Sequence, residues 1–355
     1  MKILEIGPSE TRARGGMSEV IRSIRESEAL AEEFEIDSFP SYIDGNLPVR
    51  LLYSLYGYLR FMICCGKYDL FHIHTAERGS TFRKSLYLRT VKRAGKKAVI
   101  HIHGAEYLTF YDGLSGRKKK IADDFFRRAD LVLALSEGWK RELERRFAMK
   151  ACETLYNGVD PAKLGPAVSD PMEHRNAFLM LGRLGERKGT YDLIAAAELA
   201  VRQNPRLKLC LAGDGEVEPV RALVKGKGLK ENIAVPGWID AAEKLRRLRE
   251  AATLVLPSYH EGMPMAILEG MAAGKAIIST AVGAIPEVVG EENGILTEPG
   301  DVPALAEALL RCSGDAESLT RFSANNRKRA EEVFGIRRNH EALAEYYRQL
   351  LRRPE

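Results

Sequence analysis

The chain has 355 residues, long for one domain and comfortable for two, and 45% of them are apolar, enough for full-sized cores. Charged residues at 29% fit a soluble globular protein, and no apolar run approaches the roughly 18 residues that would mark a membrane span. Five cysteines, two of them adjacent (Cys64 and Cys65), make neither a disulfide framework nor a metal-ligand spacing, which fits a reducing, cytoplasmic setting.

The opening Met1-Lys2-Ile3-Leu4-Glu5-Ile6 reads as a first strand, not as the longer uncharged run of a signal peptide. From there short apolar runs alternate with amphipathic stretches, the pattern of a parallel sheet flanked by helices. Strands are expected near 2–6, 34–38, 69–74, 97–102, 130–135 and 152–155, with helices near 17–30, 49–66, 80–94, 117–128 and 137–147. The segment 161–176 is rich in proline and polar residues and reads as a linker. A second alternation then gives strands near 177–181, 206–212, 232–235, 252–257, 275–279 and 294–296. Helices near 301–313, 316–332 and 337–352 close the chain. This predicts an α/β protein of two doubly wound, Rossmann-like domains facing a cleft.

The motifs fall where strands are expected to end, the edge at which open parallel sheets bind ligands. Gly15 and Gly16 lie between the first strand and the first helix, where glycines let backbone approach a phosphate. His72 with His74, and His101 with His103, form His-x-His pairs. Residues i and i+2 of a strand share a face, so each pair could bind metal in principle. Spacing suggests no further ligand, and His72 and His101 read more simply as partly buried strand-end residues. Arg183 follows a strand directly and Lys188 is expected to open the next helix. Two cations at a helix N-terminus oppose its dipole, and an anion between them removes the conflict.

The run AATLVLPS reads as a buried strand leading into His260-Glu261-Gly262-Met263-Pro264-Met265. Pro264 suits a first helical position, and amides at a helix start suit anionic groups. Glu261 would stand at the pocket mouth, with Glu269 about one and a half turns into the helix. Acids beside an anion site make sense if the ligand also brings hydroxyls, as a nucleotide sugar does. Gly213 and Gly215 lack the third glycine of a dinucleotide fingerprint, which argues against a nicotinamide enzyme.

Glu261 and Glu269, seven residues between them, resemble the signature of retaining glycosyltransferase family 4. Gly182-Arg183-Leu184 with Lys188-Gly189 is similar to the family's diphosphate-binding Arg and Lys. Ala212 to Glu216, Pro236-Gly237-Trp238 and Gly283 to Glu287 fall in the family's order. Gly15-Gly16, His72-Ile73-His74, His103-Gly104 and Asn157 to Asp160 match weaker markers. The resemblance implies the GT-B fold, with domains 1–165 and 166–336 and a terminal helix, 337–355, returning to the first domain. It implies a nucleotide-sugar donor held by the second domain and an acceptor hydroxyl held by the first. Arg183 and Lys188 would meet the diphosphate and Glu269 the ribose. Trp238 would lie beside the base. Glu261 and His103 would reach the transferred sugar, with Gly15, Gly16, Gly262, Met263 and Met265 also lining the donor. The chain has no Asp-x-Asp triplet, so no metal and no other cofactor is expected.

Residues 50–150 hold 22 Lys/Arg against 10 Asp/Glu, which concentrates the positive charge there. Arg89, Lys92 and Arg93 recur at helical spacing. The stretch 83–120 is therefore a candidate contact with an anionic membrane, weighed against a solvated face. No stacking aromatics interleave with these charges, so nucleic acid is not an expected partner. The apolar stretch Leu51 to Cys65 reads as a core helix. Together these features predict a peripheral enzyme acting on a lipid-linked surface-polysaccharide precursor. A sugar-nucleotide epimerase and a non-catalytic sugar-binding scaffold are the alternatives.

Overall fold

In the computed structural model residues 1–13 and 15–352 are described, the side chain of Pro166 aside. Arg14, beside the glycine pair, and the last three residues of the expected terminal segment 337–355 lie outside them.

The described residues form two parallel sheets of six strands each. The first joins β1 (Lys2–Pro8), β2 (Glu35–Tyr42), β3 (Leu70–Thr75), β4 (Lys97–Ile102), β5 (Leu131–Ala134) and β6 (Cys152–Thr154) in the order β2-β1-β3-β4-β5-β6. The second joins β7 (Ala177–Leu181), β8 (Lys208–Ala212), β9 (Ile233–Gly237), β10 (Thr253–Leu256), β11 (Ala276–Thr280) and β12 (Gly294–Thr297) in the order β12-β11-β10-β7-β8-β9. In each sheet the strand order reverses once, between β1 and β3 and between β7 and β10. Such switch points open a crevice at the strands' carboxyl ends.

The chain divides into two compact units, Met1–Gly158 with Ile336–Glu355, and Val159–Gly335. The division falls ahead of the expected boundary at 165. Val159 N–H donates to the Phe334 carbonyl at 2.8 Å, which holds the segment after Gly158 to the second unit.

Strand parity explains the core of the first unit. Leu4, Ile6, Phe71, Ile73, Ala98 and Ile100 pack on one face of the sheet; Ile3, Leu70, Val99 and Leu131 pack on the other. Both faces are covered, as parallel sheets require. The second face is closed partly by the terminal helix Ile336–Leu351, whose Leu343, Ala344 and Tyr347 join that core. Burying each large apolar side chain of this kind contributes about 1.5–3 kcal/mol.

Four elements depart from the expectation, one of them the short helix Pro161–Leu164 inside the expected linker. The helix expected over 17–30 ends at Arg25, and Ser27 caps a new short helix, Glu28–Ala31, by accepting from Leu30 N–H at 3.3 Å. Tyr107–Asp112 forms a short helix where none was expected. The helix Leu47–Cys64 is not a core helix: Gly57 and Phe61 are buried, but most of its large apolar side chains are exposed.

Candidate active site

The switch point of the second sheet gathers the charged motif residues. After β7 the chain turns through Gly182 and Arg183 into one short turn, Glu186–Lys188. The next helix, Thr190–Gln203, starts two residues beyond Lys188, so Lys188 precedes the helix rather than opening it. After the neighbouring β10, Pro257 to Pro264 lead into the helix Met265–Ala272. Pro264 is the N-cap of that helix, one place before the expected first helical position. Its amides at Met265 and Ala266 fall in the first turn, where no intrahelical acceptor exists.

The two loops are fastened to each other. Tyr259 N–H donates to the Arg187 carbonyl at 2.9 Å, and the Arg187 guanidinium donates to the His260 carbonyl at 2.9 Å. Close approach depends on glycine at two points. Gly189 has φ 67°, and a Cβ there would lie 2.0 Å from the Pro257 carbonyl oxygen. Gly283 has φ 58°, and a Cβ there would lie 1.9 Å from the Glu261 carbonyl oxygen.

Across this junction Lys188 Nζ is paired with Glu261 Oε1, the two side chains 14% and 7% exposed. The buried Ser258 hydroxyl donates to the same Oε1 at 2.7 Å. Arg183 is exposed and has no ion-pair partner among the described residues. Arg183, Lys188 and Glu261 thus bring a guanidinium, an ammonium and a carboxylate to this junction. Gly262 and Met263 are buried in the same loop, and Met265 is half-buried at the helix start. Glu269 accepts from Lys244 Nζ at 2.5 Å, with both side chains mostly buried. Trp238, just past β9, is 59% exposed.

Sequence reasoning missed Ser258, Arg187 and Lys244. The first could have been found from Ser-x-x-Glu directly after a strand. Lys244 carries no such signal, because it sits 25 positions from Glu269 on a different helix.

The remaining candidates belong to the first unit. Gly15 is the N-cap of the helix Gly16–Arg25, at the carboxyl end of β1. His103 follows β4, its N–H bonded to the Thr75 carbonyl at 2.8 Å. Parity and register bring other residues to it. Glu5 pairs in register with His72, and His74 with His101. His74 Nε2 lies 3.3 Å from Glu5 Oε1, and His74 Nδ1 lies 2.9 Å from His103 Nε2. His72 Nδ1 lies 2.7 Å from the Tyr347 hydroxyl on the terminal helix.

Burial dominates the electrostatics of this cluster. It pushes His72 and His103 down to about 3, His74 and His101 well below the ordinary imidazole range, and the Glu5 carboxyl well above the ordinary carboxylate range. One ring nitrogen from each of His72, His74 and His101 lies within 4.8 Å of the others. The His72 ring, however, is only 24° from parallel with His74 and 16° from parallel with His101. Imidazole lone pairs lie in the ring plane, so near-parallel stacked rings do not converge on one ion. The arrangement fits a hydrogen-bonded stack better than a metal centre.

In the basic stretch 83–120, weighed between a membrane contact and a solvated face, some of the cations are buried or paired. Lys84 is fully buried, donating to the Ile6 carbonyl at 2.8 Å. Arg89 pairs with Asp124 at 3.1 Å and Lys92 with Asp130 at 2.5 Å. No helix among the described residues is long and apolar enough to cross a membrane.

Two doubly wound units, with a charged crevice at the second switch point, define a two-domain glycosyltransferase of the GT-B class. Residues 166–329 match the family model described as glycosyl transferases group 1, and residues 12–163 match that of Glycosyltransferase Family 4. The chain belongs to this family, and it is a glycosyltransferase that draws on nucleotide-sugar donors. It is 28% identical to the amylovoran biosynthesis glycosyltransferase AmsK of Erwinia amylovora, over 79% of this chain and 70% of that one. It is 27% identical to an Escherichia coli UDP-Gal:alpha-D-GlcNAc-diphosphoundecaprenol alpha-1,3-galactosyltransferase, over 84% and 79%. In fold it resembles Anabaena HepE in complex with UDP and glucose, at TM-score 0.78 and 18% identity, covering 98% of this chain and 100% of that one.

Proposed function

We propose that this chain is a retaining hexosyltransferase that moves a sugar from a UDP-sugar to a hydroxyl of a lipid-linked surface-polysaccharide precursor, without a metal. The observation that carries the reading is the β7–β10 crevice, where Arg183, without an ion-pair partner among the described residues, stands in the loop after β7 with Lys188, and Lys188 pairs with Glu261 of the loop after β10. A diphosphate supplies the anion that these two cations call for. The UDP bound by HepE and the diphosphoundecaprenol acceptor named for the galactosyltransferase support the donor and acceptor classes.

In this reading Arg183 and Lys188 hold the diphosphate, and Glu269, oriented by Lys244, accepts from the ribose hydroxyls. Trp238 lies beside the base. Gly15, Gly16, Gly262, Met263 and Met265 offer backbone to the donor, and Glu261 and His103 hydrogen-bond the transferred sugar. The bond from the sugar's anomeric carbon to the phosphate oxygen breaks as the acceptor oxygen bonds to the same face. The leaving phosphate takes the acceptor's proton. Charge grows on that phosphate, and Arg183 and Lys188 stabilise it where it develops.

The test incubates the chain with labelled UDP-, GDP- and ADP-sugars, with and without a lipid diphosphate-sugar acceptor, in excess EDTA. Acceptor-dependent transfer from a UDP-sugar, with the donor's α-configuration kept, is expected. Epimerisation without acceptor, a β-linked product, or activity lost to EDTA and restored by Mg²⁺ would each overturn a named part of the proposal.

A further inference from the structure

The helix Leu47–Cys64 carries an outer face that its own unit leaves uncovered. Leu51, Leu52, Leu55, Leu59, Met62 and Ile63 are exposed there, Leu52 by 69% and Ile63 by 84%. At 3.6 residues per turn they form one broad stripe. Single exposed apolar side chains are ordinary, but a contiguous stripe marks a contact surface. The helix is firmly seated: the Tyr53 hydroxyl donates to the Pro40 carbonyl at 3.1 Å, and Tyr58 bonds Thr90 at 2.8 Å. The stripe is thus a fixed surface of the folded unit.

Charge selects what covers it. The helix contains no acidic residue, and its two cations lie outside the stripe, Arg50 5.1 Å over the Tyr42 ring and Arg60 5.6 Å over the Phe39 ring. A second copy would bring an apolar stripe of its own but, on this helix, no carboxylate to answer either arginine. An apolar face on a helix whose only charges are cations, with exposed Tyr56 at its edge, suits the headgroup boundary of an anionic bilayer. We propose that the helix Leu47–Cys64 docks this chain on an anionic lipid surface, apolar face inward. This places the membrane contact on a different element from the stretch 83–120, where Arg89, Lys92 and Lys96 are held in internal ion pairs.

Sedimentation of the full chain with vesicles tests the proposal without any sugar transfer, so its outcome is separate from that of the enzymatic reading. Vesicles would be phosphatidylcholine alone or with about one quarter phosphatidylglycerol. The chain should bind the anionic vesicles, and Leu52→Gln, Leu55→Gln, Leu59→Gln and Ile63→Gln combined should weaken binding at least about tenfold. Arg50→Gln with Arg60→Gln should narrow the preference for anionic over neutral vesicles. Ile63→Gln alone, at the most exposed position, should weaken binding measurably even if the combined variant fails to fold. Equal binding by wild type, the combined apolar variant and Ile63→Gln overturns the proposal. A self-association lost in the variants, with no vesicle binding by wild type, also overturns it and makes a second copy the occupant.

A separate observation is the buried series Glu5, His74, His103. A neutral imidazole has one donor and one acceptor nitrogen, so hydrogen bonds in series share one direction. If Glu5 donates to His74 Nε2, His74 Nδ1 must donate to His103 Nε2, and His103 is left with its proton on Nδ1. If Glu5 accepts, every bond reverses. We infer that Glu5 and His74 are positioning residues that set which ring nitrogen of His103 carries the proton. The groups facing Glu5 are His72, His74 and Tyr347, with Glu10 and Arg25 at longer range. Burial pushes the Glu5 carboxyl up, which favours its donating form and with it the first direction.

Two-bond ¹⁵N–¹H spectra of histidine-labelled protein report the tautomer directly, with or without turnover. Wild type should show the His103 proton on Nδ1. Glu5→Gln, whose amide also donates, should keep it there. Glu5→Leu, which has no donor, should mix the two forms. A Leu variant with the wild-type tautomer, or a Gln variant that behaves like Leu, overturns the inference. So does one zinc ion bound tightly per chain, which would make the stack a metal site.

Discussion

At the switch point of the first sheet the polar side chains are imidazoles and a carboxyl group buried together; at that of the second they are an ammonium, a guanidinium and carboxylates. Both units are six-stranded parallel sheets, so the difference lies in the side chains. In the first unit burial drives His72, His74, His101, His103 and Lys84 toward their neutral forms, and Glu5 as well. In the second unit the ionisable groups stand in acid–base pairs, Lys188 with Glu261 and Lys244 with Glu269. A neutral stack offers directed hydrogen bonds suited to hydroxyls. A charged crevice offers Coulomb attraction suited to phosphates. One plan of strands thus supports two kinds of recognition.

The largest effect should come from discharging the second crevice. Arg183→Ala or Lys188→Ala should lower turnover by roughly 10²-fold or more, the scale of losing one transition-state donor; steady-state rates at saturating donor decide it, and near-normal rates in both would break the contrast. Glu269→Ala should weaken nucleotide binding by about 1.5–3 kcal/mol, the scale of hydrogen bonds to a charged group. Calorimetry with UDP would read this as roughly a ten- to hundredfold rise in Kd.

Glu261→Ala sharpens the comparison differently. Its carboxylate competes with the diphosphate for Lys188, so removing it should leave UDP affinity unchanged or tighter. Turnover should nevertheless fall by about tenfold or more, with kcat and kcat/KM dropping together. Weaker UDP binding in this variant would mean that the Lys188–Glu261 pair acts as one unit in holding the nucleotide.

The smallest effect concerns acid. A buried histidine with a lowered pKa binds fewer protons folded than unfolded. Its share of stability is complete above about pH 6.5 and is lost as pH falls through the folded value. His72, His74, His101, His103 and His340 all act in this sense in the first unit, His340 with a folded value of about 4. Glu5, with a raised value, acts oppositely: it stabilises in acid, and that share is lost as pH rises through its folded value. Five groups outweigh one. The second unit has His174 half-buried and His260 exposed. Hydrogen exchange compared at about pH 7 and pH 5, corrected for intrinsic rates, should therefore show β3 and β4 losing protection before β7 and β10. Equal loss in both sheets would count against the histidine stack as the cause.

Much of this could be read along the chain. Runs such as Ala177–Leu181 and Thr253–Leu256 are strands because central parallel strands are apolar on both faces. Parity alone put His72 with His74, and His101 with His103, on shared faces. Their convergence with Glu5 was not legible, because register between β1, β3 and β4 is set by packing rather than by any one strand. Lys244 beside Glu269 was hidden for a similar reason, since the contact joins two helices. The helix Leu47–Cys64 misled because it is apolar nearly all round, and such a helix ordinarily lies inside a protein. Only the structure shows that Gly57 and Phe61 face inward and Ile63 faces out.

The terminal helix Ile336–Leu351 has a consequence for how the molecule comes into being. Its Leu343, Ala344 and Tyr347 complete the core laid down by Ile3, Leu70 and Val99, more than two hundred positions earlier. A ribosome delivers residues 1–158 first, yet they must wait for the helix Ile336–Leu351 to be made. The second unit, Val159–Gly335, is contiguous and can close as soon as it emerges. The first unit would then be the last to mature, with its histidine-lined face open to water and to chaperones for most of translation. A stop codon shortly before residue 336 would strike hardest at the half of the protein already made.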